Sequence, residues 1–533
     1  MNTVTTYLNA VWKRNKQFML QETDPVLLLF LLFMTNYRIS FKIIAIIGIF
    51  ICRRRFRLQK NGVFYFYLSM IGIGLVQFLF FSGDLSMAHG LVVLTGCITW
   101  LFSLLAFQQV RVSVNTHTES QLINTLKVIT VLNFFVSLAD LIKIMLTQHS
   151  LNPYNEISSP PYGISSGDMI GGVFGQLHLV NTVTCFLLII FFLYKQEFRF
   201  SLMALIPFLL TGSNFGTLIL FPVLLYILIV KRGIIYKYYA LFSIAIIVVF
   251  YVQITPVNFR YMRQTLAKAA MQLHIIPQPV AINISKPVKK TPPVDFIKLY
   301  EKQHPAVRVD TIEQKVLMNS DENPVKRQKR EDLVFYRKDS LQKAKAQMPL
   351  FNSDTLIRFD FVKQSGKITS FIQTKQFLLS GKSRLLFGAG IGSFSSRLAF
   401  ITSRIVGDSK ILMALPYYET PAFKKNHKAI FKYLMYMDDE EHSVTNLPFC
   451  WYNQLLGEYG LLGFISFVVL YLGFFLRRFR SYRYGLLMLG GMLLFFFFDY
   501  WFERLAVMIF FELFLLMEIR FNNVKENKEE EAV

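Results

Sequence analysis

The sequence predicts an all-α polytopic membrane protein of about twelve transmembrane helices, with one large, partly helical loop outside the bundle. Three observations predict it. Hydrophobic residues make up 53% of the 533, with 54 phenylalanines and a mean hydropathy of +0.40, a composition outside the range of soluble domains. Apolar stretches recur at a length that crosses about 30 Å of hydrocarbon. A single polar stretch, 255–454, interrupts them and carries 31 Lys and Arg against 17 Asp and Glu, which is +14 of the chain's +23.

In chain order the candidate spans run near 18–35, 38–52, 63–82, 88–107, 122–147, 172–194, 198–210, 214–230, 234–254, 455–476, 484–498 and 500–518. Only Asn36, Tyr37 and Arg38 divide the first two; if these fuse into one kinked span, the count is eleven. The organisation is a membrane bundle over 1–254, the basic insertion over 255–454, three C-terminal spans over 455–518 and a charged tail over 519–533. The N-terminus is polar through Lys16 and shows no cleavable leader, so the first spans are expected to direct insertion. Cys52, Cys97, Cys185 and Cys450 are too scattered for a disulfide framework or a zinc pattern.

Orientation follows from cations in short loops. Lys13 to Lys16, Arg53 to Arg55 with Arg57 and Lys60, Lys195 with Arg199, Lys231 and Arg232 with Lys237, and Arg477 and Arg478 with Arg480 and Arg483 fall on one side. That side is expected to be cytoplasmic, with both termini. The opposite loops carry Asp84, the stretch Asn152 to Asp168, and Asp499 with Glu503. The insertion then lies outside, as long loops translocate largely regardless of charge.

Within the insertion, 277–347 is Pro- and Lys-rich without periodicity, an extended or mobile excursion. From 354 to 400 a helical pattern appears, with Ile357, Phe361, Ile368, Phe371, Ile372, Phe377 and Leu378 spaced for one apolar face. Such a basic amphipathic helix suits the membrane surface; Lys363, Lys367 and Lys375 equally suit the solvated side of a packed helix. It runs into Phe387-Gly388-Ala389-Gly390-Ile391-Gly392-Ser393-Phe394, glycines at a spacing that lets backbone approach a ligand and offers amide donors to it. No strand–helix unit surrounds the turn, which argues against a dinucleotide site.

After the insertion the chain reads Gln454-Leu455-Leu456-Gly457-Glu458-Tyr459-Gly460-Leu461-Leu462-Gly463. Here the sequence resembles the bacterial O-antigen polymerase and O-antigen ligase family, whose members have a G-x-G-x-F turn ending the large periplasmic loop and then a helix opening Q-L-L-x-E-x-G-x-x-G. Ser365-Gly366-Lys367 is similar to the family's S-G-R segment, Gly172 to His178 to its G-x-F-x-H-P-N opening, and Thr211-Gly212-Ser213 to its S-x-S-R turn. Departures stand at Leu177, His178 and Asn214. The likeness covers most of the membrane part and leaves out the Pro/Lys-rich excursion.

The resemblance implies a GT-C-like glycosyltransferase of the bacterial inner membrane with its large loop periplasmic. It would transfer glycan from a polyprenyl-pyrophosphate-linked donor to an acceptor sugar with neither cofactor nor metal. Expected partners are that lipid-linked glycan, membrane lipids and a chain-length regulator; no nucleic acid is expected. Cations held at the outer surface would stabilise the charge that grows on the leaving pyrophosphate. Candidates by position are Arg260, Arg263, Arg358, Lys367, Arg397 and Arg404, with Arg260, Arg263 and Arg397 favoured for bidentate geometry. Headgroup anchoring also places cations at span ends.

For the base that takes the acceptor proton, the candidates are His442, Glu458 and Asn453, with His178 further out. Aligning Gly460 and Gly463 puts the ligase's His–Asn pair at Phe449 and Cys450. The missing histidine favours repeat-unit polymerase over ligase. A flippase or exporter would need charges lining a path and repeat symmetry, whereas Asp140 and Lys143, one turn apart, are the main intramembrane charges. A non-catalytic envelope subunit is the remaining alternative.

Overall fold

The computed structural model describes residues 21–36, 38–52, 58–154, 169–175, 177–231, 233–256, 258–259, 263, 366–405, 415–436, 447–477, 479 and 482–530. Among them there is helix and turn but no strand. The first part of the chain forms α1 (Pro25–Thr35), α2 (Ile39–Cys52), α3 (Gly62–Phe81), α4 (Met87–Thr116), α5 (Glu119–Gln148), α6 (His178–Tyr194), α7 (Phe198–Leu210), α8 (Asn214–Val230) and α9 (Ile234–Ile254). The described end of the insertion forms α10 (Gly366–Leu379), α11 (Lys382–Phe387), α12 (Arg397–Thr402), α13 (Pro421–Lys425) and α14 (His427–Tyr436). The chain returns through α15 (Trp451–Leu476), α16 (Gly485–Phe495) and α17 (Leu505–Glu530).

Five of these, α3, α4, α5, α9 and α15, are long and apolar enough to cross a membrane, and α1, most of α2, α6, α7, α8 and α16 are shorter apolar helices. Helix starts follow the expected capping chemistry. Asp24 accepts from Leu27 N with Pro25 in the first turn, Asn61 caps α3, Ser86 caps α4, and Thr118 with Gln121 closes a capping box on α5. A helix apolar all round belongs in the interior, and α6 meets this rule, since every residue from Val180 to Leu193 is buried. The stretch Val507 to Phe511 of α17 is likewise buried.

The end where α9 leads into the insertion and α15 returns from it is termed the loop end; the opposite, basic end holds Lys195, Lys231, Arg477 and Arg520. The first two candidate spans depart from expectation. Asp24, which opens α1, receives its place from α4 and α5 at the basic end. Its amide donates to Thr125 Oγ1 at 2.9 Å and its carboxylate lies 3.0 Å from His117 Nδ1. Beyond α2 the chain is again at the basic end, where the Gln59 amide donates to Gln108 Oε1 at 3.2 Å and Gln108 Nε2 returns a bond to the Gln59 carbonyl at 2.9 Å. Phe33 and Phe41 meet across the bend, with centroids 5.7 Å apart. An 11-residue α1 rises only about 16 Å, half the hydrocarbon thickness. Helices α1 and α2 form a hairpin that begins and ends at the basic end, and α1 alone is too short to cross the hydrocarbon.

A cysteine placed at Asn36 should accordingly resist a membrane-impermeant maleimide added from the loop side, while one at Asp84 labels from that side. Equal labelling of the two positions would restore two full spans.

Candidate functional site

The glycine turn and the start of α15 form one interlocked unit. Gly388, Gly390 and Gly392 all take positive φ, 72°, 94° and 68°. The Ala389 amide donates to the Gly457 carbonyl at 2.8 Å, and the Gly390 amide to the Glu458 carbonyl at 3.0 Å. A Cβ on Gly388 would lie 2.4 Å from the Glu458 carbonyl carbon, and one on Gly460 would lie 2.5 Å from that of Leu386. Gly460, with φ of 63°, breaks α15 to admit the turn, so glycine is required on both sides of the contact.

Glu458 closes the unit. Fully buried, its carboxylate accepts from the amides of Gly392 at 3.0 Å, Phe394 at 3.1 Å and Ser395 at 3.1 Å, with the Ser396 hydroxyl as a further donor. These are the amides expected to face a ligand anion; the protein's own carboxylate occupies them. Ile391 fills a slot between α3 and α4, where it lies against Gly74 and Gly96. From the 1.5 Å rise per residue, that slot lies roughly 10–14 Å below the loop end. Irregular backbone is tolerated at such depth only when protein satisfies it.

Helix α10 packs its polar side against protein and also buries Leu378. Its polar side, Thr369, Ser370, Gln373 and Thr374, is buried, while Ile368, Ile372 and Leu379 are 48%, 38% and 68% exposed. The polar side meets α15 and α14. Asn453 donates to Ser370 Oγ at 2.8 Å and accepts from Thr374 Oγ1 at 3.0 Å. His427 Nδ1 lies 3.2 Å from Ser395 Oγ, whose other neighbour is the Tyr500 hydroxyl at 3.2 Å. Burial, and then the Lys367 charge, lower the His427 pKa to about 3, so the ring is neutral. Lys367 is not on a solvated face: its ammonium donates to the Phe449 carbonyl and lies over the Phe498 ring at 5.4 Å. Burial lowers its pKa to about 8 against the opposing pull of Cys450 and Asp499.

Beside this unit, charged groups converge from separate elements. Arg397 opens α12, whose N-cap is Ser396. Arg504 precedes α17 and pairs through Nε with Asp499 Oδ2 at 3.1 Å, while its Nη1 is buried without a protein partner among the described residues. Lys42, half-buried near the tip of the hairpin, lies within electrostatic range of both arginines. Glu503 lies in the turn between α16 and α17. It accepts from the Leu398 amide at 3.2 Å and from Gln454 Nε2. Its carboxylate lies within electrostatic range of Glu458 and Arg397. Buried Gln77 Oε1, Gln454 Oε1 and Trp451 Nε1 likewise have no protein partner among the described residues. Beneath them Phe66, Trp100, Trp451 and Phe502 form an aromatic floor, with Trp451 and Phe502 centroids 4.3 Å apart. Among the described residues no three His, Cys, Asp or Glu are grouped to hold a metal ion.

Comparison with protein-family models, curated proteins and solved structures finds no match to this chain.

The structure thus brings Lys367, Arg397, Asn453, Glu458 and the three glycines to one region and assigns several of them different surroundings from those expected. Asn453 and Glu458 have their polar atoms committed to neighbouring side chains and amides, which makes them positioning residues in this geometry. Arg404 is exposed, in a left-handed conformation with φ of 60°, and donates to the Leu415 carbonyl. Arg263 is exposed beyond α9. Arg260, Arg358 and His442 lie outside the described residues. Phe449, at the ligase-histidine position, packs among Phe400, Phe431 and Tyr500. Asp140 accepts from the Gly172 amide at 2.9 Å, so its partner is the second glycine turn and not Lys143 alone. Sequence reasoning missed Lys42, Arg504 and His427 and left Glu503 as an outer-loop acid. The available signal was a cation inside an apolar run for Lys42 and a carboxylate–arginine pair inside an aromatic run for the other site.

Glu458→Ala leaves three buried amides without an acceptor and should lower stability by about 3 kcal/mol or more. Glu458→Gln should lose less, as read by thermal unfolding in detergent, and equal melting temperatures for wild type and Glu458→Ala would refute the clasp. Because the His427 pKa is depressed on folding, the unfolded chain binds the extra proton between pH 6.5 and about 3. Stability should therefore fall on acidification through that window, by up to about 1.4 kcal/mol per pH unit. His427→Gln should flatten that part of the melting curve against pH.

Proposed function

We propose that this protein transfers glycan from a polyprenyl-pyrophosphate donor to an acceptor sugar in the loop-end half of the bundle, extending lipid-linked repeat units. The observation that carries the reading is the convergence of Lys42, Arg397 and Arg504 from three separate elements beside a half-buried carboxyl, Glu503. Cations are rare and costly at this depth unless function retains them. The meeting of the glycine turn with the Glu458 helix supports the same reading, since these two segments carry the family resemblance.

In this reading Lys42, Arg397 and Arg504 hold the pyrophosphate. The acceptor hydroxyl oxygen attacks the anomeric carbon, the bond from that carbon to the phosphate oxygen breaks, and polyprenyl pyrophosphate leaves with the electron pair. Glu503, held in place by the Leu398 amide and Gln454, takes the acceptor proton. Arg397, within electrostatic range of Lys42 and Glu503, stabilises both charges. Glu458 and Asn453 fix the geometry without touching the reactants. Periplasmic orientation of the loop end in a bacterial inner membrane belongs to this proposal.

The test is a reconstituted assay with a polyprenyl-pyrophosphate repeat unit, read as a ladder of lengthened products. Lys42→Met and Arg504→Met should each lower the rate at least about a hundredfold. Glu503→Gln should likewise lower the rate at least about a hundredfold. Unchanged ladders in all three variants, or dependence on a nucleotide sugar, would sink the proposal.

A further inference from the structure

At the basic end, well away from the site above, Arg111, Val114, Asn115, Phe474, Arg477, Leu516, Ile519 and Arg520 line a half-open cavity of about 390 Å³. The three arginines come from α4, the end of α15 and α17, so no single helix face explains their meeting. No carboxylate is among the lining residues. Two of the arginines are held by backbone carbonyls and oriented: Arg520 Nη1 donates to the His117 carbonyl at 3.0 Å and Arg111 Nη1 to the Gln59 carbonyl at 3.4 Å. Arg477 is exposed at the rim. The rest of the lining is largely apolar, with Val114 and Leu516 buried and Phe474 and Ile519 partly so.

We propose that this cavity binds a phosphate-bearing amphiphile, an anionic phospholipid of the leaflet at the basic end. The guanidinium groups match phosphate oxygens in a bidentate manner, and the apolar wall takes the first methylenes of an acyl chain. Simple interfacial anchoring places cations around a bundle facing lipid headgroups at large; here two oriented guanidinium groups and a third at the rim share one half-open cavity. The site differs from the proposed donor site in its residues and in its end of the bundle, and stands without it.

The experiment is native mass spectrometry of the purified full chain in detergent. The added probes are phosphatidylglycerol, phosphatidylcholine or inorganic phosphate. One phosphatidylglycerol should bind at least tenfold more tightly than phosphatidylcholine. Selectivity should fall roughly fivefold for each arginine changed to glutamine, in Arg477→Gln alone and in the triple variant with Arg111→Gln and Arg520→Gln. The exposed Arg477 keeps the single variant foldable, and Arg477→Lys should retain most of the selectivity by charge. Equal binding of the two lipids, or a triple variant as selective as wild type, would overturn the site. Displacement of phosphatidylglycerol by inorganic phosphate, with equal stabilisation by phosphate alone, would overturn the lipid and leave a free phosphate compound as the ligand.

Discussion

The grip of the Glu458 carboxylate on the amides of Gly392, Phe394 and Ser395 is the interaction on which the rest of the loop-end half depends. An irregular stretch of backbone sits between helices, where amides have no water to bond and each one left unsatisfied is costly. One buried side chain with two oxygens satisfies three of them. The same contact ties α15 to the turn, and the turn carries Ser396 and Arg397 into α12. The device recurs where the chain breaks within the bundle. Asp140 takes the Gly172 amide, and Glu518 takes those of Arg483, Tyr484 and Gly485 ahead of α16.

The degree of enclosure separates two kinds of carboxylate. Glu458 is wholly enclosed and has no oxygen left to face a substrate. Glu503, one shell further out, accepts from an amide and an amide side chain but remains half-buried, beside Arg397. Enclosure commits the first to its neighbours; partial access is what the proposed proton transfer asks of the second. The rule extends to α10, whose hydroxyls and amide groups turn inward to Asn453 while its isoleucines turn out. In a lipid setting, a helix with this composition buries its polar side.

Much of this architecture was legible in the sequence. Apolar run lengths located the helices, and the order of the glycine turn and the Gln454 to Gly463 segment marked the region where charged groups meet. Two things were not legible, for physical reasons. The period of α10 gives the position of its apolar face but not which side meets protein, because the outward direction is polar at a water surface and apolar within lipid. The hairpin of α1 and α2 was hidden because hydropathy measures how apolar a stretch is and not where it turns.

The slot between Gly74 and Gly96 that receives Ile391 has a consequence for how the molecule is made. Helices α3 and α4 emerge from the ribosome early, as a hairpin whose facing glycines leave a notch with nothing in it. The side chain that fills the notch is synthesised only after five further helices and much of the long insertion have been translated. Until then the hairpin must hold a gap open or let lipid occupy it, and closing the distant contact carries the entropy of that loop. Final packing of the loop-end half is thus a late, post-insertion event, and the folding step most exposed to interference is the seating of one isoleucine.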